Sequence, residues 1–217
     1  MSDTAALAVV PAVRLDEAPS DLVRGVIRRR VRESIAVKER LLGDAPVALL
    51  ARLAAAVTAS IRAGGKVVLF GNGGSAADAT HLAAEFVGRF NFDRAPMPAL
   101  SLSDNGSSVT AIGNDYAYEL TFARQIQALG APGDVAIGLS TSGSSPNVLA
   151  ALRAARARGM VTAAFTGSRG TPMEELADLC VLVPSEATAR IQEGYMLYAH
   201  IMCELVEQEL FGADAGR

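Results

Sequence analysis

The sequence contains two histidines, His81 and His200, and each has a polar companion at a chemically useful spacing. Glu85 follows His81 by four residues, so on a helix both project from one face. A His/Glu pair of this kind can ligate a divalent metal or transfer protons, although the spacing alone also describes an ordinary surface ion pair. Gln192 precedes His200 by eight residues. On a straight helix they stand about 80° apart and ~12 Å along the axis. A shared ligand then requires both side chains to reach, or a bend near Gly194; a packed core histidine is the plainer reading of His200. Two loops carry different chemistry. Gly71-Asn72-Gly73-Gly74-Ser75 lets backbone approach a ligand and opens a helix whose free N–H groups favour an anion or sugar oxygens. It lacks both the dinucleotide fingerprint and the phosphate-loop lysine, and a tight turn explains it equally well. Ser140-Thr141-Ser142-Gly143-Ser144-Ser145 sets five hydroxyls and a glycine ahead of another helix. Such a loop can bind a phosphate dianion without a lysine.

These residues need a frame, and the hydrophobic pattern supplies one. Short apolar runs at Lys66–Phe70, Pro98–Leu102, Asp134–Leu139, Met160–Phe165 and Asp178–Val183 read as five buried strands. Helical periods at Ser75–Phe90, Tyr116–Leu129, Asn147–Arg158 and Arg190–Phe211 alternate with them, and Ser103–Ser108 reads as a polar loop. Continuously apolar strands alternating with helices predict an α/β fold, a doubly wound parallel sheet covered on both faces. In such sheets ligands bind beyond the carboxyl ends of the strands, where both loops fall. Two helices precede the alternation. One starts at Ser20 and carries Arg24, Arg28, Arg29, Arg30, Arg32, Lys38 and Arg40; the other spans Ala45–Ala63. The arginine run reads as a solvated face, or as a contact for an acidic partner or nucleic acid, and the apolar stripes as packing against the core or another subunit. Residues 1–19 have no period and read as a flexible arm; residues 20–217 read as one domain.

Composition narrows the function classes. The balance of 20 basic against 23 acidic residues argues against a general nucleic-acid binder. Cys180 and Cys203 stand apart in apolar segments, form no disulfide framework and suit a reducing cytoplasm. No apolar run reaches the ~18 residues of a membrane span, and residues 1–13 lack the basic start of a signal peptide. The absence of Trp disfavours stacking platforms for bases or sugars.

Four segments together carry a family likeness. GNGGSAADATHLAAEFVGRF (71–90), GND (113–115), STSGSSPNV (140–148) and RIQEGYMLYAHIMCELVE (190–207) resemble the bacterial phosphoheptose isomerases, which have the sugar isomerase (SIS) fold. The likeness runs from about Ile35 to Phe211, with the motifs in the same order. It implies a flavodoxin-like, five-stranded parallel sheet and a cytoplasmic homotetramer with sites at subunit interfaces. The activity it implies belongs to heptose biosynthesis: sedoheptulose 7-phosphate is converted to D-glycero-D-manno-heptose 7-phosphate through an enediol. It also implies one Zn²⁺ per subunit, held by His81, Glu85, Gln192 and His200, with Glu85 and His200 transferring protons. Substrate contacts fall on Asn72, Gly73, Gly74, Glu85, Arg89, Asn114, Asp115, Ser140, Thr141, Ser142, Ser145 and Gln192. Two positions depart from the pattern: Ala189 stands where related enzymes often carry Asp, and Tyr195 where they carry His. Relatives in the same fold serve as non-catalytic adaptors for the replication initiator protein, or as phosphosugar-sensing domains of regulators. The adaptor class lacks the carboxylate and final histidine that this chain retains as Glu85 and His200.

Overall fold

The computed structural model describes residues 18–167 and 171–212, so most of the arm expected at 1–19 lies outside the described residues. Five strands form one sheet: β1 (Val67–Gly71), β2 (Ala99–Ser101), β3 (Val135–Leu139), β4 (Val161–Gly167) and β5 (Leu179–Val183). Their order is β2-β1-β3-β4-β5 and every pairing is parallel. After β1 the chain moves outward to β2, then returns to the other side of β1 to lay down β3. That reversal is the switch point of a flavodoxin-like sheet, where the flanking connections diverge and leave a crevice at the strand ends. The glycine loop leaves β1 and the hydroxyl loop leaves β3, so both open onto it.

Alternation along the strands feeds two cores. Val67 and Leu69 of β1, with Ile137 and Leu139 of β3, face one cluster; Val68, Phe70 and Ala136 face the other. The first is covered by α1 (Asp21–Leu41), α2 (Asp44–Arg62), α3 (Gly74–Val87) and α8 (Thr188–Phe211). The second lies under α5 (Thr121–Leu129), α6 (Pro146–Ala157) and α7 (Pro172–Leu176). Because α3 and α8 share a face, the two histidines become neighbours despite standing 119 positions apart in the chain.

The structure corrects several boundaries. Ser103–Ser108 is not wholly loop: α4 (Gly106–Asp115) begins inside it, capped by Asn105, whose side chain accepts from the Ser108 N–H. This helix buries no residue, so it carried no apolar period to read. The helix expected over Tyr116–Leu129 is broken, because Ala117 is extended at φ −166°; a 3-10 turn spans Tyr118–Leu120 and α5 starts at Thr121. Helix α7 went unread: it has five residues, held by a capping box between Thr171 and Glu174. The leading helices are confirmed. Ser20 caps α1, but α1 buries only Val37 and Leu41 and leaves Leu22, Ile27 and Val31 exposed. By length and a mean hydropathy of 1.4, α2 meets the criterion for a membrane span, contrary to the expectation that no segment would. Its Leu50, Leu53 and Val57 are buried in the first core, which accounts for that apolarity.

Candidate active site

The β1–α3 turn is held by backbone geometry. Gly73 caps α3 at φ +56°, a left-handed conformation that favours glycine. Asn72 beside it forms a reciprocal amide pair with Asn147 of α6, both bonds 2.8 Å, and accepts from the Tyr118 hydroxyl at 3.0 Å. Asn114 and Asp115, at the exposed end of α4, donate and accept a 2.8 Å bond between themselves. They lie a few residues before Tyr118, so the 3-10 turn links them to the glycine loop.

In the hydroxyl loop, the Ser140 hydroxyl stands 3.0 Å from that of Ser145 and 3.3 Å from that of Ser142, and it accepts from the Gly143 N–H. Gly143 sits at φ +64°, where an added Cβ would lie 2.5 Å from Thr171. Ser145 caps α6 with its backbone only and makes no side-chain cap bond. An anion is the natural partner for N–H groups at such a terminus. Beside the loop a polar cavity of about 300 Å³ is lined by Thr141, Ser142, Ser144, Gly167, Thr171 and Thr188, among others. Sequence reasoning named Thr141 and Ser142 but missed Gly167, Thr171 and Thr188. Gly167 ends β4, so the rule that ligands sit at strand carboxyl ends could have found it; Thr171 and Thr188 carried no such signal.

Further along the α3/α8 interface, His81 and His200 approach to 2.9 Å between their Nε2 atoms. At that separation the two nitrogens can share one proton, with the donor set by the protonation and tautomer of the rings. Glu85 Oε1 is 3.4 Å from His81 Nε2, and the Phe90 ring packs 5.8 Å from that of His200. Gln192 takes another path: its Nε2 donates to Asp78 Oδ2 at 2.6 Å. The same oxygen accepts from the Tyr195 hydroxyl at 2.8 Å, and that hydroxyl lies 2.8 Å from the Ser75 Oγ. Burial pushes the Tyr195 phenol well above its ordinary range, so it stays a neutral donor. Asp78 escaped sequence reasoning, although it lies one turn before His81 on the same helix. Tyr195, a position marked above as departing from the family pattern, reaches Asp78 in this chain.

Distances along the helix separate the named residues into groups. Glu85 lies ~16 Å along α3 from Gly74, and exposed Arg89 lies beyond the far end of the helix, about 20 Å from the glycine loop. Within one chain Arg89 and the hydroxyl loop are therefore not brought together. For a metal, the donor chemistry fits: two imidazoles with a carboxylate beside them suit a cation of the zinc class. The set is only partly assembled. Among the described residues no group of three His, Cys, Asp or Glu is gathered to hold a metal, and Gln192 is tied to Asp78 through Nε2, which leaves its Oε1 as the atom that would ligate.

A parallel sheet in this order, with a hydroxyl-rich loop at its switch point, defines a SIS-domain protein, and the SIS domain family model matches residues 36–167. The phosphoheptose isomerase of Burkholderia pseudomallei strain 1710b is 55% identical over 184 residues, covering 85% of this chain and 91% of that one. Two solved phosphoheptose isomerase structures superpose on it. The Neisseria gonorrhoeae enzyme has a TM-score of 0.79 at 36% identity, covering 86% of this chain and 99% of that one. The Francisella tularensis enzyme has a TM-score of 0.82 at 32% identity, covering 86% and 98%. The chain belongs to the phosphoheptose isomerase family.

Proposed function

We propose that the protein isomerises sedoheptulose 7-phosphate to D-glycero-D-manno-heptose 7-phosphate. The single observation that carries this reading is the meeting of His81, Glu85 and His200 on adjacent helices. Ketose-to-aldose conversion removes a proton from C1 while the C2 carbonyl oxygen gains one, giving an enediol. A proton then returns to C2 as the C1 hydroxyl gives up its own. Glu85 is the base for the carbon-bound proton, and His200 serves the opposite side as its acid partner. The hydroxyls of Ser140, Thr141, Ser142 and Ser145, with the α6 N-terminus, bind the phosphate and orient the far end of the sugar. Asn72, Gly73, Gly74, Asn114 and Asp115 line the path between the phosphate and the reacting carbons.

His81, Glu85, Gln192 and His200 would hold one divalent ion, zinc by donor type, which when bound polarises the carbonyl oxygen. The protein acts as a homotetramer whose sites draw on neighbouring subunits. Two observations support this: α1 exposes Leu22, Ile27 and Val31 as an unpartnered apolar stripe, and Arg89 is exposed beyond the far end of α3 from the glycine loop, where a neighbouring subunit's site could take it. Its two free cysteines suit a reducing, cytoplasmic setting.

The test is Glu85→Gln, which keeps shape and removes basicity. Conversion of the ketoheptose phosphate, followed by NMR, is expected to slow by ~10²–10⁴-fold. Turnover at the wild-type rate would refute the assignment.

A further inference from the structure

We propose that the buried ion pair between Arg94 and Glu207 is a positioning device that holds Glu85 and His200 in catalytic register. The inference rests on the isomerase reading above and adds residues outside its proton-transfer group.

The pair is fully enclosed, with side chains 1% and 0% exposed and Arg94 Nε 2.9 Å from Glu207 Oε1. Enclosing two charges carries a large desolvation cost, and well-packed apolar residues often stabilise as well, so stability alone is weak grounds for such a pair. What each partner grips points to another role. Arg94 donates through Nη2 to the carbonyl of Glu85 at 2.8 Å, and through Nη1 to those of Phe86 at 2.8 Å and Gly88 at 3.2 Å. These are carbonyls at the end of α3, which a helix leaves without internal partners. No basic residue in the last turn of α3 caps them. The guanidinium therefore anchors the backbone of the residue that bears the proposed base.

Glu207 grips the other half. It lies seven residues beyond His200 on α8, two helical turns along nearly the same face. Its carboxylate accepts from the N–H of Phe90 at 2.8 Å and of Asn91 at 2.7 Å. The Phe90 ring is the one that packs against His200, tilted 35° to it. One carboxylate thus ties together α8, the ring that supports His200 and, through Arg94, the Glu85 backbone. The segment between them also carries Arg89.

Glu207→Gln keeps the side-chain shape but sets an N–H₂ group against donors. Glu207→Asp keeps the charge and retracts it by one methylene. In both, kcat for sedoheptulose 7-phosphate is expected to fall by at least ~10-fold with KM within about threefold, because displaced supporting groups cost rate more than binding. The spectroscopic readout is the pair of imidazole Cε1–H resonances from ¹³C-histidine-labelled protein, since the chain has two histidines. Both signals should shift in the Glu207 variants. They should not move in Glu209→Ala, which breaks the exposed Arg62–Glu209 pair on the same helix. Unshifted histidine signals with kcat within twofold of wild type would overturn the proposal. So would activity lost only in proportion to the unfolded fraction, or failure of both variants to fold, which assigns the pair to stability alone. The histidine signals are read without substrate. A wild type that leaves sedoheptulose 7-phosphate unchanged would thus sink the isomerase reading while the signals still judge the clamp.

Discussion

Replacing Gly74 by Ala separates the fold from the chemistry. Gly74 is the first residue of α3 and its φ is not in the left-handed region, so alanine suits its backbone. The obstacle is Gln192: a Cβ at Gly74 would lie 2.8 Å from its Nε2 and 3.2 Å from its Oε1. Ordinary contact begins near 3.4 Å, so the carboxamide must retreat by about 0.6 Å. That retreat strains the 2.6 Å bond to Asp78, a charge-assisted bond of ~1.5–3 kcal/mol. Alanine returns up to ~1 kcal/mol of helix propensity. The net loss is therefore about 0.5–2 kcal/mol, a fall in Tm of a few degrees for a chain of this size. Activity should respond far more, because a displacement approaching 1 Å can cost ~10²-fold. The expected kcat/KM for sedoheptulose 7-phosphate is ~10–100-fold below wild type. Adding Gln192→Ala to this background should cost little more, since both changes act on one group. Wild-type kcat/KM in Gly74→Ala, or full additivity with Gln192→Ala, would remove Gln192 from the site.

Two further outcomes follow from the geometry. Burial pushes both thiols up to about 12, with the negative charge of Glu174 adding to the effect at Cys180 and that of Glu85 at Cys203. At pH 8 only ~10⁻⁴ of each is thiolate, so a disulfide reagent should label neither in the native protein and both in denaturant, with native labelling rising only as pH approaches 12; rapid labelling at pH 8 would contradict the burial. Gly143→Ala forces a left-handed conformation on a residue with a Cβ, at ~1–2 kcal/mol, and drives it into Thr171 and Thr166. With overpacking of ~1–3 kcal/mol, Tm should fall by roughly 5–15 °C in a thermal melt, and a melt within 2 °C of wild type would show that the loop relaxes freely.

Burial of Glu207 would by itself raise its carboxyl, but the N–H groups of Asn91 and Phe90 and the Arg94 guanidinium outweigh it and leave it below the ordinary carboxylate value. A depressed value in the folded state means that Glu207 stabilises the fold above its unfolded value and loses that contribution as pH falls through the folded one. The clamp is therefore intact near neutrality, where the proposed chemistry runs.

Much of the frame was legible because strands and helices bury residues with different periods. KVVLF and DVAIGL could be little else than buried strands, and the glycine and hydroxyl loops had to follow them. The elements that escaped are those whose burial is weak or local: α4 buries nothing, and α7 rests on one capping box. The His81–Glu85 pair was visible because both partners lie on one helix, where spacing dictates proximity. Asp78 shared that helix, yet nothing local showed that α8 would bring Gln192 and Tyr195 to it.

The sequence by itself determined the five strands, the longer helices, their alternation and the chemistry carried at the strand ends, since these depend on residues near one another along the chain. Only the tertiary structure decided the strand order, the face on which α3 and α8 meet, and hence that His200 rather than Gln192 reaches His81. It also decided that Arg94 and Glu207, charged residues at positions with no special spacing, would be sealed together behind the site. Such pairings join residues more than a hundred positions apart. They arise because the sheet has two faces and a fixed area, and side chains must share what the packing of whole helices leaves them.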